Sequence, residues 1–198
     1  MQRLSSEALD QLFLQARTHQ KWLDRPVPDA LLRELYELAK LTPTATNSHP
    51  TRYLFVKSAE ARRVLAEALP PSNVEKMLKA PATAVVAWDE RYHAQMPKLF
   101  PARGEALAAA WATQPTAARD AWVLQNTGLE ASALIYAARA LGLDAGPMGG
   151  FDKAKVDATL LAGTGWHSVL LVNLGYGDAA QLPPRLPRLD FDEAARIA

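Results

Sequence analysis

Four short segments of the chain carry more chemistry than a scaffold requires. Arg17-Thr18-His19-Gln20-Lys21 follows directly on a helix-forming stretch. A guanidinium in that position either caps the helix end, where cations are favoured, or forks onto an anion such as a phosphate. Pro43-Thr44-Ala45-Thr46-Asn47 is dense in turn formers and short polar side chains. It is either an ordinary loop or a set of hydroxyls and an amide placed around a polar heterocycle. Gly146-Pro147-Met148-Gly149-Gly150 follows a strand. Its glycines make a tight strand-to-helix turn, or let the N–H groups of Gly149 and Gly150 come close to a ligand. Leu182-Pro183-Pro184-Arg185-Leu186-Pro187-Arg188 is either an extended arm with solvated arginines or the return of a second arginine to the same anion.

Other chemistries are excluded by what the chain lacks. There is no cysteine, which removes disulfides, iron–sulfur clusters, thiolate zinc sites and cysteine nucleophiles together. No Gly-x-Gly-x-x-Gly follows a strand, and there is no Walker loop, His-Glu-x-x-His or Gly-x-Ser-x-Gly. His19, His49, His93 and His167 have no metal-ligand spacing, so no metal is expected. With 22 Lys+Arg against 21 Asp+Glu, a net charge of +1 gives no general attraction for nucleic acid or an anionic membrane. The N-terminal residues lack the apolar core of a signal peptide and no apolar run reaches the ~20 residues of a bilayer span. The expected location is cytoplasmic. The 198 residues, 49% of them apolar, suit one compact domain over 1–198.

The elements that must position these segments can be read from punctuation and period. Ser5 and Ser6 cap a first helix over roughly 6–17, and Pro28 opens a second, in its first turn, that ends before Pro43. Strands are expected at 53–57, 82–88 and 167–174, with a short one after Leu143 that gives way to the Gly146–Gly150 turn. The 167–174 strand is apolar enough for burial on both faces. Short helices are expected over 59–69 and 151–161, and a capping box of Ser72 and Glu75 opens another. Residues 89–113 read as an excursion with some helix, a lid or partner surface. A long helix over 115–141, about 40 Å at 1.5 Å per residue, is rich in small side chains and is expected to be central and buried. The fold class is α+β.

Taken together, the segments Ala16–Trp22, Pro43–Asn47, Asn73–Leu78, Gly142–Phe151, Asn173–Asp178 and Arg185–Arg188 resemble the FMN-dependent nitroreductase-like family, and within it the malonic semialdehyde reductase (RutE-type) branch. The resemblance runs from about Leu12 to the tail. It implies a mostly antiparallel central sheet surrounded by helices, and an intertwined homodimer with the long helix at its interface and two flavin sites. It places Arg17, Thr18 and His19 at the FMN phosphate and the pyrimidine end of the ring, and makes Arg185 the second phosphate arginine. Thr44, Thr46 and Asn47 would contact flavin held mainly by the other subunit. Asn73 would reach the pyrimidine edge, and Pro147, Met148, Gly149 and Gly150 would lie against the flavin. A basic residue common in the family is Gln20 here, leaving Lys21 or Lys76 to face the negative charge of reduced flavin. The usual Asn-x-Gln-Pro-Trp continuation is Asn47-Ser48-His49-Pro50-Thr51, followed by Arg52.

The implied activity is ping-pong hydride transfer from NADH or NADPH through flavin N5 to a small-molecule aldehyde, nitro or quinone acceptor. The branch suggests malonic semialdehyde, reduced to 3-hydroxypropionate, with Arg52 as anchor for the substrate carboxylate. The alternatives are a broad nitro or quinone reductase, a flavin-binding module without turnover that docks a partner through 89–113, and a structural domain without cofactor.

Overall fold

The computed structural model describes residues 2–198. Ser5 accepts the Ala8 N–H and starts helix α1 (Ser6–Leu9), which continues as a π-helical stretch over Asp10–Leu14. The helix stops three residues short of the expected end because the chain beyond it runs extended: Thr18 bridges Ala145 and Trp22 bridges Gly177. Helix α2 (Asp29–Ala39) has Pro28 as its N-cap rather than in its first turn. Strand β1 (Thr51–Val56) and helix α3 (Ala59–Ala66), capped by the Ser58 side chain, come next.

Helix α4 (Pro71–Lys79) departs from expectation at its start. Pro70 is the N-cap and Pro71 the first residue, so Ser72 lies inside the helix and no capping box forms with Glu75. Proline suits that opening turn, where its missing N–H is no loss. The Glu75 carboxylate turns instead to Lys21 at 2.8 Å and Lys79 at 3.0 Å.

Strand β2 (Ala82–Asp89) leads into the 89–113 excursion, which is mostly helical: a 3₁₀ turn at Tyr92–Gln95, α5 (Met96–Leu99) and α6 (Gly104–Ala112). The excursion is held down by an aromatic cluster of Trp88, Tyr92, Trp111 and Trp122. Helix α7 (Thr116–Ala140) has Pro115 as its N-cap and is the long helix expected. Strand β3 (Asp144–Met148), helix α8 (Lys153–Thr159), strand β4 (Trp166–Gly175) and a short C-terminal α9 (Phe191–Ala194) complete the chain. Residues 182–190 have no regular structure, as three prolines dictate.

The sheet is wholly antiparallel in the order β1-β2-β4-β3. The Gly146-Pro147-Met148 segment, expected as a turn, is part of β3 and pairs with Asn173, Val172 and Leu171 of β4. Pro147 is tolerated because β3 is an edge strand, with no further neighbour asking for its N–H. Alternation along β2 divides the core: Ala84 and Val86 join Leu35, Leu134 and Val172 on the α2/α7 side. Val85 and Ala87 join Leu65, Met77, Val156 and Leu171 on the α3/α4/α8 side. β2 is therefore buried along its full length, while β4 is only half-buried toward Trp166. This helix–sheet–helix layering is an α+β fold. Among the described residues no helix is long and apolar enough to cross a membrane.

Candidate functional site

At the β3 edge the extended 18–22 segment, strand β3 and helix α4 enclose a cavity of about 240 Å³. It is lined by Thr18, His19, Gln20, Asn73, Lys76, Gly146, Pro147, Met148, Gly149 and Asn173. One wall is backbone: the His19 N–H donates to the Ala145 carbonyl at 3.3 Å. This approach explains Gly146, since a Cβ there would lie 2.5 Å from the His19 carbonyl oxygen. His19 is 6% exposed, and its Nε2 sits 3.3 Å from Asp144 Oδ1. Asp144 Oδ2 also accepts the Gly177 N–H at 2.8 Å. Gly177 is packed so closely on the imidazole that a Cβ would lie 2.0 Å from Nδ1.

The opposite wall is α4. Asn73 Nδ2 donates to the Gly150 carbonyl at 3.0 Å, and Lys76 Nζ donates to Asn73 Oδ1 at 3.3 Å. Trp22 Nε1 donates to the Lys76 carbonyl at 3.2 Å, tying the two walls together. Lys76 therefore faces the cavity, whereas Lys21 is spent on Glu75 outside it. The floor is Asn173, whose Oδ1 accepts the Thr83 hydroxyl at 2.7 Å. No carboxylate lines the cavity, so its electrostatics favour an electron-rich or anionic guest.

The two lysines beside Glu75 hold its carboxyl down at about 2. Because that value lies below the ordinary one, the tether stabilises the fold above the usual carboxylate range. The stabilisation fades as pH falls from about 4.5 toward 2. Glu75→Gln is expected to melt earlier than wild type at pH 7, with the gap closing in acid and in high salt because the pair is exposed. Thermal melts across pH and ionic strength measure this.

Arg17 and Arg185 do not line the cavity; Arg17 directly precedes Thr18 of its wall, and each arginine reaches the other's segment. Arg17 donates to the Pro183 carbonyl at 2.6 Å. Arg185 donates to the carbonyls of Leu14 at 2.7 Å and Ala16 at 3.0 Å. Each arginine thus pins the other's segment through one terminal nitrogen, leaving the rest of its five N–H donors free.

Thr44, Thr46 and Asn47 lie elsewhere. Their loop is braced on α7, with the Ala45 N–H on Asn126 Oδ1 at 2.7 Å, and on α5, with Asn47 Nδ2 on the Leu99 carbonyl at 2.8 Å. Within one chain this loop does not meet the cavity. Arg52 is likewise remote: it pairs with Asp89 at 3.0 Å and donates to the His49 and Thr51 carbonyls. It lines a separate, wider cleft of about 1200 Å³ beside β1. Among these glycines the close approach within the chain is at Gly146, while Gly149 and Gly150 face open space on the side where a guest would lie. A Cβ at Gly149 meets nothing within 4 Å and one at Gly150 only Asn73 Nδ2 at 3.6 Å.

Sequence reasoning gave no site role to Asp144 or Asn173, and named Gln20 only as a departure from the family's basic residue. For Asn173 the signal was present, as a lone amide in the apolar run 167–174 that must be satisfied if buried.

The architecture defines a class: an antiparallel sheet between helical layers, with a polar, carboxylate-free cavity at its edge and two arginines beside it. The sequence pattern of the Nitroreductase family matches residues 14–176, and the chain belongs to that family. A relative from Stenotrophomonas maltophilia strain K279a, provisionally named NADH dehydrogenase/NAD(P)H nitroreductase, is 54% identical over 98% of both chains. One from Burkholderia lata with the same provisional name is 52% identical over 100% of both. A solved structure from Exiguobacterium sibiricum, provisionally named a nitroreductase and in complex with FMN, has the same fold. Its TM-score is 0.86 at 20% identity, over 100% of both chains.

Proposed function

We propose that this chain is an FMN-dependent NAD(P)H oxidoreductase that reduces small nitro or quinone acceptors. The observation that carries the reading is the carboxylate-free cavity with Asn73 and Lys76 on one wall, β3 on another, and the Arg17–Arg185 pair beside it. The residues suit the group. Amides and backbone match a heterocycle's polar edge, Lys76 answers negative charge on a reduced ring, and two guanidinium forks answer a phosphate. Family membership and the names of the relatives support the same reading.

Bound FMN would supply hydride transfer between NADH or NADPH and the acceptor. In this reading Arg17 and Arg185 hold its phosphate, and Thr18 and His19 lie along the pyrimidine end. Asn73 and Lys76 meet the ring's polar edge, and Pro147, Met148, Gly149 and Gly150 form the surface beneath it. One cavity of about 240 Å³ is smaller than the ~300–1,000 Å³ usual for such sites. That supports a homodimer in which the Thr44, Thr46 and Asn47 loop of a second copy completes the site. The outward Leu124, Leu129 and Tyr136 of α7, each at least 40% exposed, give such a dimer an apolar face.

The narrower reading, malonic semialdehyde as acceptor, needs a free cation for the substrate carboxylate. Arg52 is neutralised by Asp89 and occupied by two carbonyls, which favours neutral acceptors. The test is the absorbance of purified protein, anaerobic reduction with each nicotinamide, then reoxidation by a nitroaromatic, a quinone or malonic semialdehyde. Yellow protein that bleaches with a nicotinamide and recovers fastest with a nitro compound or quinone is expected. Colourless protein that releases no FMN on heating overturns the reading. Lys76→Met is expected to make the bound flavin harder to reduce, seen as a more negative midpoint potential in a dye-equilibrated titration.

A further inference from the structure

The Pro43–Pro50 loop contains three non-glycine residues in the left-handed region: Thr46 at φ 53°, Asn47 at 55° and His49 at 39°. Each costs free energy there, so something must hold the loop in place. His49 does so with both ring nitrogens. Nδ1 lies 2.9 Å from Glu130 Oε1 on α7, and Nε2 lies 2.8 Å from Asn47 Oδ1. The Asn47 amide cannot be turned over to offer its nitrogen, because that nitrogen already donates to the Leu99 carbonyl. Both partners of the ring are therefore acceptors, and only an imidazolium donates to both.

Glu130 completes the argument. Its side chain is 5% exposed and its other oxygen accepts the Thr51 N–H at 3.2 Å. Among the described residues no other cation pairs with it. A buried carboxylate of this kind needs a charged partner. The surrounding groups supply none: Arg52 of β1 is matched by Asp89 of β2. Tyr53 donates to the Glu130 backbone carbonyl at 3.2 Å and is held protonated by burial and by the Glu130 charge. Gln95 and Lys98 line the same wide cleft as His49, and the His49 N–H is taken by the Thr44 hydroxyl oxygen at 3.2 Å.

We propose that the His49–Glu130 pair is a proton-dependent latch that positions the loop bearing Thr44, Thr46 and Asn47. It is closed while the ring carries two protons and released when one leaves. His49 and Glu130 are positioning residues, and their consequence for activity rests on the reading that this loop completes the flavin site of a second copy.

The test uses the full-length protein without added flavin. Imidazole nitrogen NMR, with His49 assigned by its loss in His49→Ala, reads the ring's protons. Amide hydrogen exchange of residues 44–49, normalised to intrinsic rates, reads the loop. Exchange is expected to rise roughly tenfold, the factor carried by one lost buried hydrogen bond, as the ring loses its second proton. Glu130→Gln is the diagnostic variant. Its amide donates to a neutral Nδ1 while its oxygen keeps the Thr51 N–H, so the loop stays closed and its exchange becomes independent of pH. Wild-type exchange that ignores the ring's protonation overturns the proposal, as does a Glu130→Gln loop with an unchanged pH response. Because neither readout needs flavin, a protein that binds no FMN leaves this test intact, and one that binds FMN with a pH-insensitive loop defeats the latch alone.

Discussion

Gly146→Ala is expected to cost about 1–3 kcal/mol of stability, the usual penalty of overpacking, and to abolish retention of the cofactor. The new Cβ would sit 2.5 Å from the His19 carbonyl oxygen and 3.2 Å from the Trp22 ring. The carbonyl cannot swing aside cheaply. It belongs to a segment tied by the His19 N–H on Ala145 and by the His19–Asp144 contact. Relief must come from parting the 18–22 segment from β3, the two elements that wall the cavity. Gly149→Ala is the matched control for the fold alone: its Cβ meets no protein atom within 4 Å, so the flavin-free protein should melt at the wild-type temperature. Calorimetry on both variants, with flavin content per chain, separates the outcomes. A Gly146→Ala protein that melts like wild type and keeps its flavin would refute the account of this wall.

Truncating Arg185 is expected to weaken FMN binding by roughly 10- to 150-fold, equivalent to ~1.5–3 kcal/mol for a charge-assisted hydrogen bond. It should also free the C-terminal arm, because the same guanidinium holds the Leu14 and Ala16 carbonyls. Arg17→Ala should show a similar loss, since Arg17 anchors the arm from the other side through Pro183. Arg185→Lys should recover little, because a point charge cannot fork onto two acceptors. Flavin titration gives the affinity, and the rate of trypsin cleavage after Arg188 reports the arm. Undiminished FMN affinity in both alanine variants would take the phosphate from these arginines.

The long elements were legible for a simple reason: their signal is repeated many times. The apolar runs at 82–88 and 167–174 and the 115–141 helix each match observed elements within about one residue. Short-range punctuation was less reliable. Ser72 and Glu75 have capping-box spacing, yet Glu75 has two lysines within reach, one of them 54 residues away in sequence. Gly146-Pro147-Met148 read as a turn, but Pro147 occupies the free edge of the sheet, where a missing N–H costs nothing. Arg52 looked available for a substrate, and the β1–β2 pairing places Asp89 beside it.

From its residues alone this chain determined its fold class, its layered core and its family. Apolar period, cap chemistry and the order of a few short motifs are properties of local sequence, readable before any contact is known. Tertiary structure decided which charges are free and which are already satisfied. It showed Lys76 facing the cavity and Lys21 spent on Glu75, Arg17 and Arg185 pinning each other's segments, and His49 joined to a buried glutamate 81 residues away. Those assignments depend on distance and desolvation between groups far apart in the chain, and Coulomb and hydrogen-bond energies follow separation in space, whatever the separation in sequence.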